Sequence, residues 1–155
     1  QITQAGRVHG VAGQDLVAGS HFLGDVAAVS YTGPTVFGYA GSALSASGDV
    51  DGDGLDDLLV GSHFNDDGGV YAGKAYLILG KSLGASSSIS LSSADYMFVG
   101  EDADDRAGQS VSSAGDVDGD GRPEARAPGS RGARAAEDGP SQLPRVQRHH
   151  RVRAR

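Results

Sequence analysis

The sequence predicts an all-β fold built from repeated four-stranded antiparallel blades, and three observations predict it. Glycine supplies 25 of the 155 residues, beside five prolines and few aromatics. That composition suits turn-dense sheet better than helix. No stretch of helix length is amphipathic, and the longest apolar run falls far short of the roughly 20 residues a membrane span requires. Third, sliding the chain against itself by 67 positions, which lays Gly48 on Gly115, exposes an internal repeat.

The repeat justifies the elements in turn. Ala40-Gly41 meets Ala107-Gly108, Ser45 meets Ser112, and the block Gly-Asp-Val-Asp-Gly-Asp-Gly recurs without change at 48–54 and 115–121. Within the one complete unit, short apolar or alternating runs between glycine turns give strands at 43–47, 58–62, 74–79 and 96–99. Four strands per repeat is the signature of a propeller blade. The polar run 65–69 reads as a turn, and the serine-rich 81–93 as a loop. The domain organisation that follows is a partial or divergent preceding repeat over 1–39, a complete repeat over 40–106, the start of the next over 107–124, and a tail over 125–155. An echo of 57–64 at 15–22 stands outside the 67-residue register.

The length is about 2.3 repeats, where four to eight blades close a propeller, so the chain reads as a fragment of an incomplete propeller. Its apolar faces, carried by Leu58, Val60, Leu77 and Leu79, are then expected to be exposed and to favour self-association.

Charge divides the chain sharply. Residues 1–121 hold 17 acidic and 4 basic side chains; residues 122–155 hold 3 and 9. The switch falls in mid-motif, no strand-like run follows Glu124, and the Arg, Ala, Pro and Gly mixture resembles an out-of-frame reading of GC-rich coding DNA. The tail is therefore expected to be disordered or frameshifted. Its arginines also suggest a nucleic-acid-binding arm, but no aromatic residue lies in 122–155 for base stacking. His149-His150 within it reads as incidental.

The chemistry sits in the repeated loops. Asp49, Asp51 and Asp53 alternate, as do Asp116, Asp118 and Asp120, and carboxylates curled inward at that spacing repel one another unless a cation lies between them. Calcium takes six to eight oxygen ligands, and a tight loop with Asp at positions 1, 3 and 5, glycine at 6 and a backbone carbonyl at 7 supplies most of that shell. Position 7 is Leu55 in the first loop and Arg122 in the second. An EF-hand would need Glu at position 12, which here is Val60. The carboxylate instead stands at position 9, as Asp57 and Glu124, before strand-like residues in the first copy. A strand-loop-strand calcium site is expected at both, with metal ligands Asp49, Asp51, Asp53, Leu55, Asp57, Asp116, Asp118, Asp120, Arg122 and Glu124. The plain alternative is that Asp-Gly pairs simply make turns.

Other chemistry finds little support. There is no cysteine, hence neither a disulfide framework nor a thiolate zinc site. Gly-x-Ser-x-Gly, Ser-x-x-Lys and His-Glu-x-x-His are all missing, so no enzyme is expected. The acidic run 101–105 reads as a solvated loop.

On Phe37-Gly38, the calcium-type loop 48–57 and Gly61-Ser62-His63, the sequence resembles the FG-GAP repeat of integrin α-chain propellers and of bacterial integrin-like surface proteins. The resemblance covers about residues 30–124. It implies a propeller of about seven blades with structural calcium at its hairpin loops, secreted or displayed at the cell surface. The role it implies is recognition or adhesion toward an extracellular protein or glycan. Its rival is an accessory propeller of a secreted hydrolase or phospholipase. Extracellular calcium modules bind with dissociation constants of about 0.1 to 1 mM, which would fill such loops outside a cell.

Overall fold

The computed structural model describes residues 5–11, 27–83 and 87–129. Nine strands are seen among them: β1 Arg7–Val11, β2 Ala27–Thr32, β3 Ala43–Gly48, β4 Asp57–Ser62, β5 Lys74–Ile78, β6 Ser88–Ser90, β7 Tyr96–Val99, β8 Ser112–Gly115 and β9 Glu124–Arg126. The only helical segments among the described residues are short 3-10 turns, Gly80–Ser82 and Leu91–Ser93. None is long and apolar enough to cross a membrane. The described residues are all-β, as the glycine-rich composition predicts.

The four expected strands are present and form one antiparallel sheet in the order β3-β4-β5-β7. The central strands carry short contiguous apolar runs, Leu58 to Val60 and Ala75 to Leu79, as strands buried on both faces do, and glycine turns end the runs. A second sheet pairs β1 with β2 antiparallel and β2 with β6 parallel; β8 and β9 form a third, two-stranded sheet. Two expectations are corrected. The stretch 81–93 is not only a connection, because Ser88–Ser90 adds an edge strand to β2. A strand does follow the second loop, since Glu124–Arg126 pairs with Ser112–Gly115. The echo at 15–22 and the tail from residue 130 onward, with His149 and His150, lie outside the described residues.

The repeat is legible in the backbone itself. Arg7 faces Thr32 and Val8 faces Tyr31 in one sheet, while Lys74 faces Val99 and Ala75 faces Phe98 in the next, the same register 67 residues on. Left-handed backbone recurs at the same spacing: Gly6 and Gly73, Phe37 and Asp104, Tyr39 and Arg106, Gly41 and Gly108, Gly48 and Gly115. β1 and β2 thus stand where β5 and β7 stand in the complete blade, and β8 and β9 where β3 and β4 stand. One whole blade lies between two half-blades.

Because of that sandwich, the middle sheet is covered on both faces. Val60, Tyr76 and Ile78 pack with Val8, Tyr31 and Leu91 on one side. Leu59, Ala75, Leu77 and Leu79 pack with Val111, Ala125 and Ala127 on the other. Each fully buried aliphatic side chain contributes about 1.5 to 3 kcal/mol relative to exposure. Val60, Leu77 and Leu79, expected to lie on open faces, are buried within the chain, and Leu58 is half-buried. The flanking half-blades cover them.

Two glycines set the blade spacing. A Cβ at Gly61 would stand 2.0 Å from the Gly108 carbonyl oxygen, so the next half-blade approaches β4 at backbone contact.

Candidate metal centre

Both aspartate loops join the first two strands of a blade: 49–56 between β3 and β4, and 116–123 between β8 and β9. Each hairpin enters its loop through a bulge at a left-handed glycine, Gly48 or Gly115. That conformation is open to glycine and curls the chain sharply. Gly52 and Gly54, with Gly119 and Gly121, continue the curl at positive φ. Backbone N–H groups then point inward and are taken by the carboxylates.

In the first loop Asp49 accepts from Asp53 N through Oδ1 and from Gly54 N through Oδ2, both at 2.8 Å. Asp51 Oδ1 accepts from Asp53 N at 3.2 Å, and Asp53 Oδ1 from Leu55 N at 2.9 Å. The second loop repeats the scheme except that the first aspartate's Oδ1 takes the N–H one position earlier. Asp116 accepts from Gly119 N and Gly121 N, Asp118 from Asp120 N, and Asp120 from Arg122 N, at 2.7 to 3.0 Å. The position-9 carboxylate reaches back across each loop: Asp57 Oδ2 accepts from Val50 N at 2.8 Å, and Glu124 Oε2 from Val117 N at 2.6 Å.

These contacts gather the side chains. Asp116, Asp118, Asp120 and Glu124 each offer an oxygen, all within 4.8 Å of one another, and so do Asp49, Asp51 and Asp57. Asp53 does not join the first cluster. Leu55 and Arg122 enter the expected shells only through their carbonyls and are no part of these side-chain groups. The second loop therefore gathers four carboxylates against three in the first, although it closes on the less apolar strand.

The first loop differs in three further ways. Asp57 is 2% exposed and its Oδ1 also accepts from Gly80 N at 2.7 Å, tying the loop to the chain after β5. Lys81 Nζ lies 2.6 Å from Asp51 Oδ2. The ammonium holds the Asp51 carboxyl below the usual carboxylate range, and Asp51 in turn pushes Lys81 up. Finally, Arg122 of the second loop lies over the first: a Cβ at Gly52 would meet its Nε at 2.7 Å. Sequence reasoning missed Lys81, which stands 30 residues from Asp51 in a serine-rich stretch and carries no motif.

A cleft of about 560 Å³ opens between the middle sheet and β9, lined by Val50, Asp51, Leu77, Tyr96, Phe98 and Ala125 among others. Elsewhere, Asp105 accepts from the N–H groups of Glu101 and Asp102 and so organises its own loop. His63 Nδ1 is 2.8 Å from Ser42 Oγ and its ring packs on Phe64. Burial, with Arg106 adding to it, pushes the His63 imidazole down.

Residues 40–78 match the family model of the FG-GAP repeat, which spans β3, the first aspartate loop, β4 and β5. No curated protein matches the chain. With that match, the four-stranded antiparallel sheet is a propeller blade.

Proposed function

We propose that this chain is a calcium-stabilised propeller segment acting as an extracellular recognition or adhesion module, with calcium in a structural role. One observation carries the proposal: two loops with the same seven residues, at the same place in successive blades, each gather carboxylate oxygens within 4.8 Å. The donors are oxygens alone, a set that suits a hard cation and offers nothing to soft metals. Asp49, Asp51 and Asp57, with the Leu55 carbonyl, would hold one ion, and Asp53, outside the cluster as it stands, would have to turn inward to add a further oxygen. Asp116, Asp118, Asp120, Glu124 and the Arg122 carbonyl would hold the other. Bound calcium neutralises the clustered carboxylates and locks each hairpin to its loop; no catalytic step is assigned to it.

This reading implies a secreted or surface location, where calcium is plentiful enough to fill loops with the affinity usual for extracellular modules, about 0.1 to 1 mM. The partner is an extracellular protein or glycan. Terbium luminescence on the full chain and on Asp51→Ala combined with Asp118→Ala tests the metal. Saturable, calcium-displaceable terbium emission lost in the double variant is expected. Folded wild-type protein without such emission would refute the proposal.

A further inference from the structure

We propose that Lys81 is a tethered cation for the first aspartate loop and competes with calcium there, so that two loops alike over seven residues fill at different calcium concentrations. The inference rests on the calcium reading of these loops and concerns how the first of them is regulated.

Three observations carry it. Lys81 is delivered by a held segment: Gly80 N donates to Asp57 Oδ1 at 2.7 Å, Leu79 N donates to Asp95 Oδ2 at 2.9 Å, and Ser82 Oγ donates to Asp95 Oδ1 at 3.0 Å. From that turn the ammonium reaches Asp51 Oδ2 at 2.6 Å, on a carboxylate that also belongs to the oxygen cluster. Next, the Arg122 guanidinium over Gly52 adds a second positive charge beside the same loop. Lastly, among the described residues no ion pair engages Asp116, Asp118, Asp120 or Glu124, and there four carboxylates gather instead of three.

A divalent ion entering the first loop must displace or sit beside the ammonium, whereas the second, among the described residues, has no ion pair to displace. An ammonium pushed off its carboxylate to roughly 6 to 10 Å from the dication, in a water-like dielectric with ordinary salt, lowers affinity by roughly three- to tenfold. Without metal, the same ammonium relieves repulsion in the first loop and keeps it closed.

Calorimetric calcium titration of the full chain tests this, with Asp118→Asn and Asp120→Asn leaving the first loop to report alone. Lys81→Met in that background should tighten calcium binding by roughly three- to tenfold, and Lys81→Arg should stay near the parent. With the first loop disabled by Asp49→Asn, Lys81→Met should leave the second loop's affinity within about twofold, while Arg7→Met serves as a remote charge control. Equal affinity in Lys81→Met and the parent would overturn the inference while leaving the calcium reading intact. So would tightening by Lys81→Arg as large as that by Lys81→Met. Absence of calcium binding in every variant, with folding verified by circular dichroism, would instead remove the calcium reading, and this inference with it.

Discussion

Replacing Asp57 by alanine separates the architecture of the first loop from its metal. The Asp57 side chain is 2% exposed and accepts two backbone N–H groups, Val50 at 2.8 Å and Gly80 at 2.7 Å. Hydrogen bonds to a charged group are worth about 1.5 to 3 kcal/mol each, and a buried donor left unpaired costs its desolvation. Asp57→Ala is therefore expected to destabilise the protein by about 3 to 5 kcal/mol in EDTA, a large share of the 5 to 15 kcal/mol typical of a domain. Asp53→Ala is the contrast. Its exposed carboxylate accepts only from Leu55 N, so its cost without calcium should stay below about 1 kcal/mol. Urea unfolding in EDTA, followed by circular dichroism, measures both. Equal losses for the two variants would refute the assignment of Asp57 as a structural tie.

Other perturbations have signs set by the same structure. Gly61→Ala places a methyl 2.0 Å from the Gly108 carbonyl oxygen and should cost about 1 to 3 kcal/mol in the same unfolding assay; unchanged stability would show that the half-blade yields. Tyr76 is buried and its hydroxyl makes no well-formed hydrogen bond, the Ser62 side chain being at most a weak partner, so Tyr76→Phe should be neutral or stabilising by about 1 kcal/mol at neutral pH. Burial, with Asp67 nearby, pushes Tyr76 up to about 12. The unfolded chain ionises near pH 10 while the folded one does not, so stability should fall as pH rises from about 10 to 12, and less in Tyr76→Phe. His63 is pushed down by burial; the unfolded state takes up the proton first, near pH 6.5. Its contribution is complete above that pH and is lost as pH falls through the lower folded value. Denaturant midpoints between pH 7.5 and 5 should drop less in His63→Gln than in wild type.

Much of the blade was legible because its strands are short apolar or alternating runs bounded by glycine turns. The loops were legible because their ligand spacing repeats in one register. β1 and β2 were not read as the third and fourth strands of a blade, since what recurs there is conformation more than side-chain identity. Tyr39 and Arg106 share a positive φ and no chemistry. β6 is Ser-Ile-Ser, with a single β-branched residue between two serines, and β9 is Glu-Ala-Arg, with none, so neither carries enough β-branched or aromatic signal to mark a strand. β9 pairs because the bulged loop turns the chain back on β8. Burial of Val60, Leu77 and Leu79 depends on neighbours that periodicity within one blade cannot reveal. At the site, alternation placed the aspartates, yet Asp53 stays outside the first cluster. The Lys81 contact and the Gly80 tie arise from a turn far along the chain.

Calcium-dependent stability tests the central claim most directly. For a site with a dissociation constant of about 0.1 to 1 mM, 10 mM calcium adds about 1.4 to 2.7 kcal/mol by mass action. For a chain of this size that raises the melting temperature by roughly 3 to 10 °C per site. Scanning calorimetry of the full chain in EDTA and in 10 mM calcium should show that rise, lost when Asp51→Ala and Asp118→Ala are combined. The same melting temperature in both buffers would contradict a structural role for calcium in these loops.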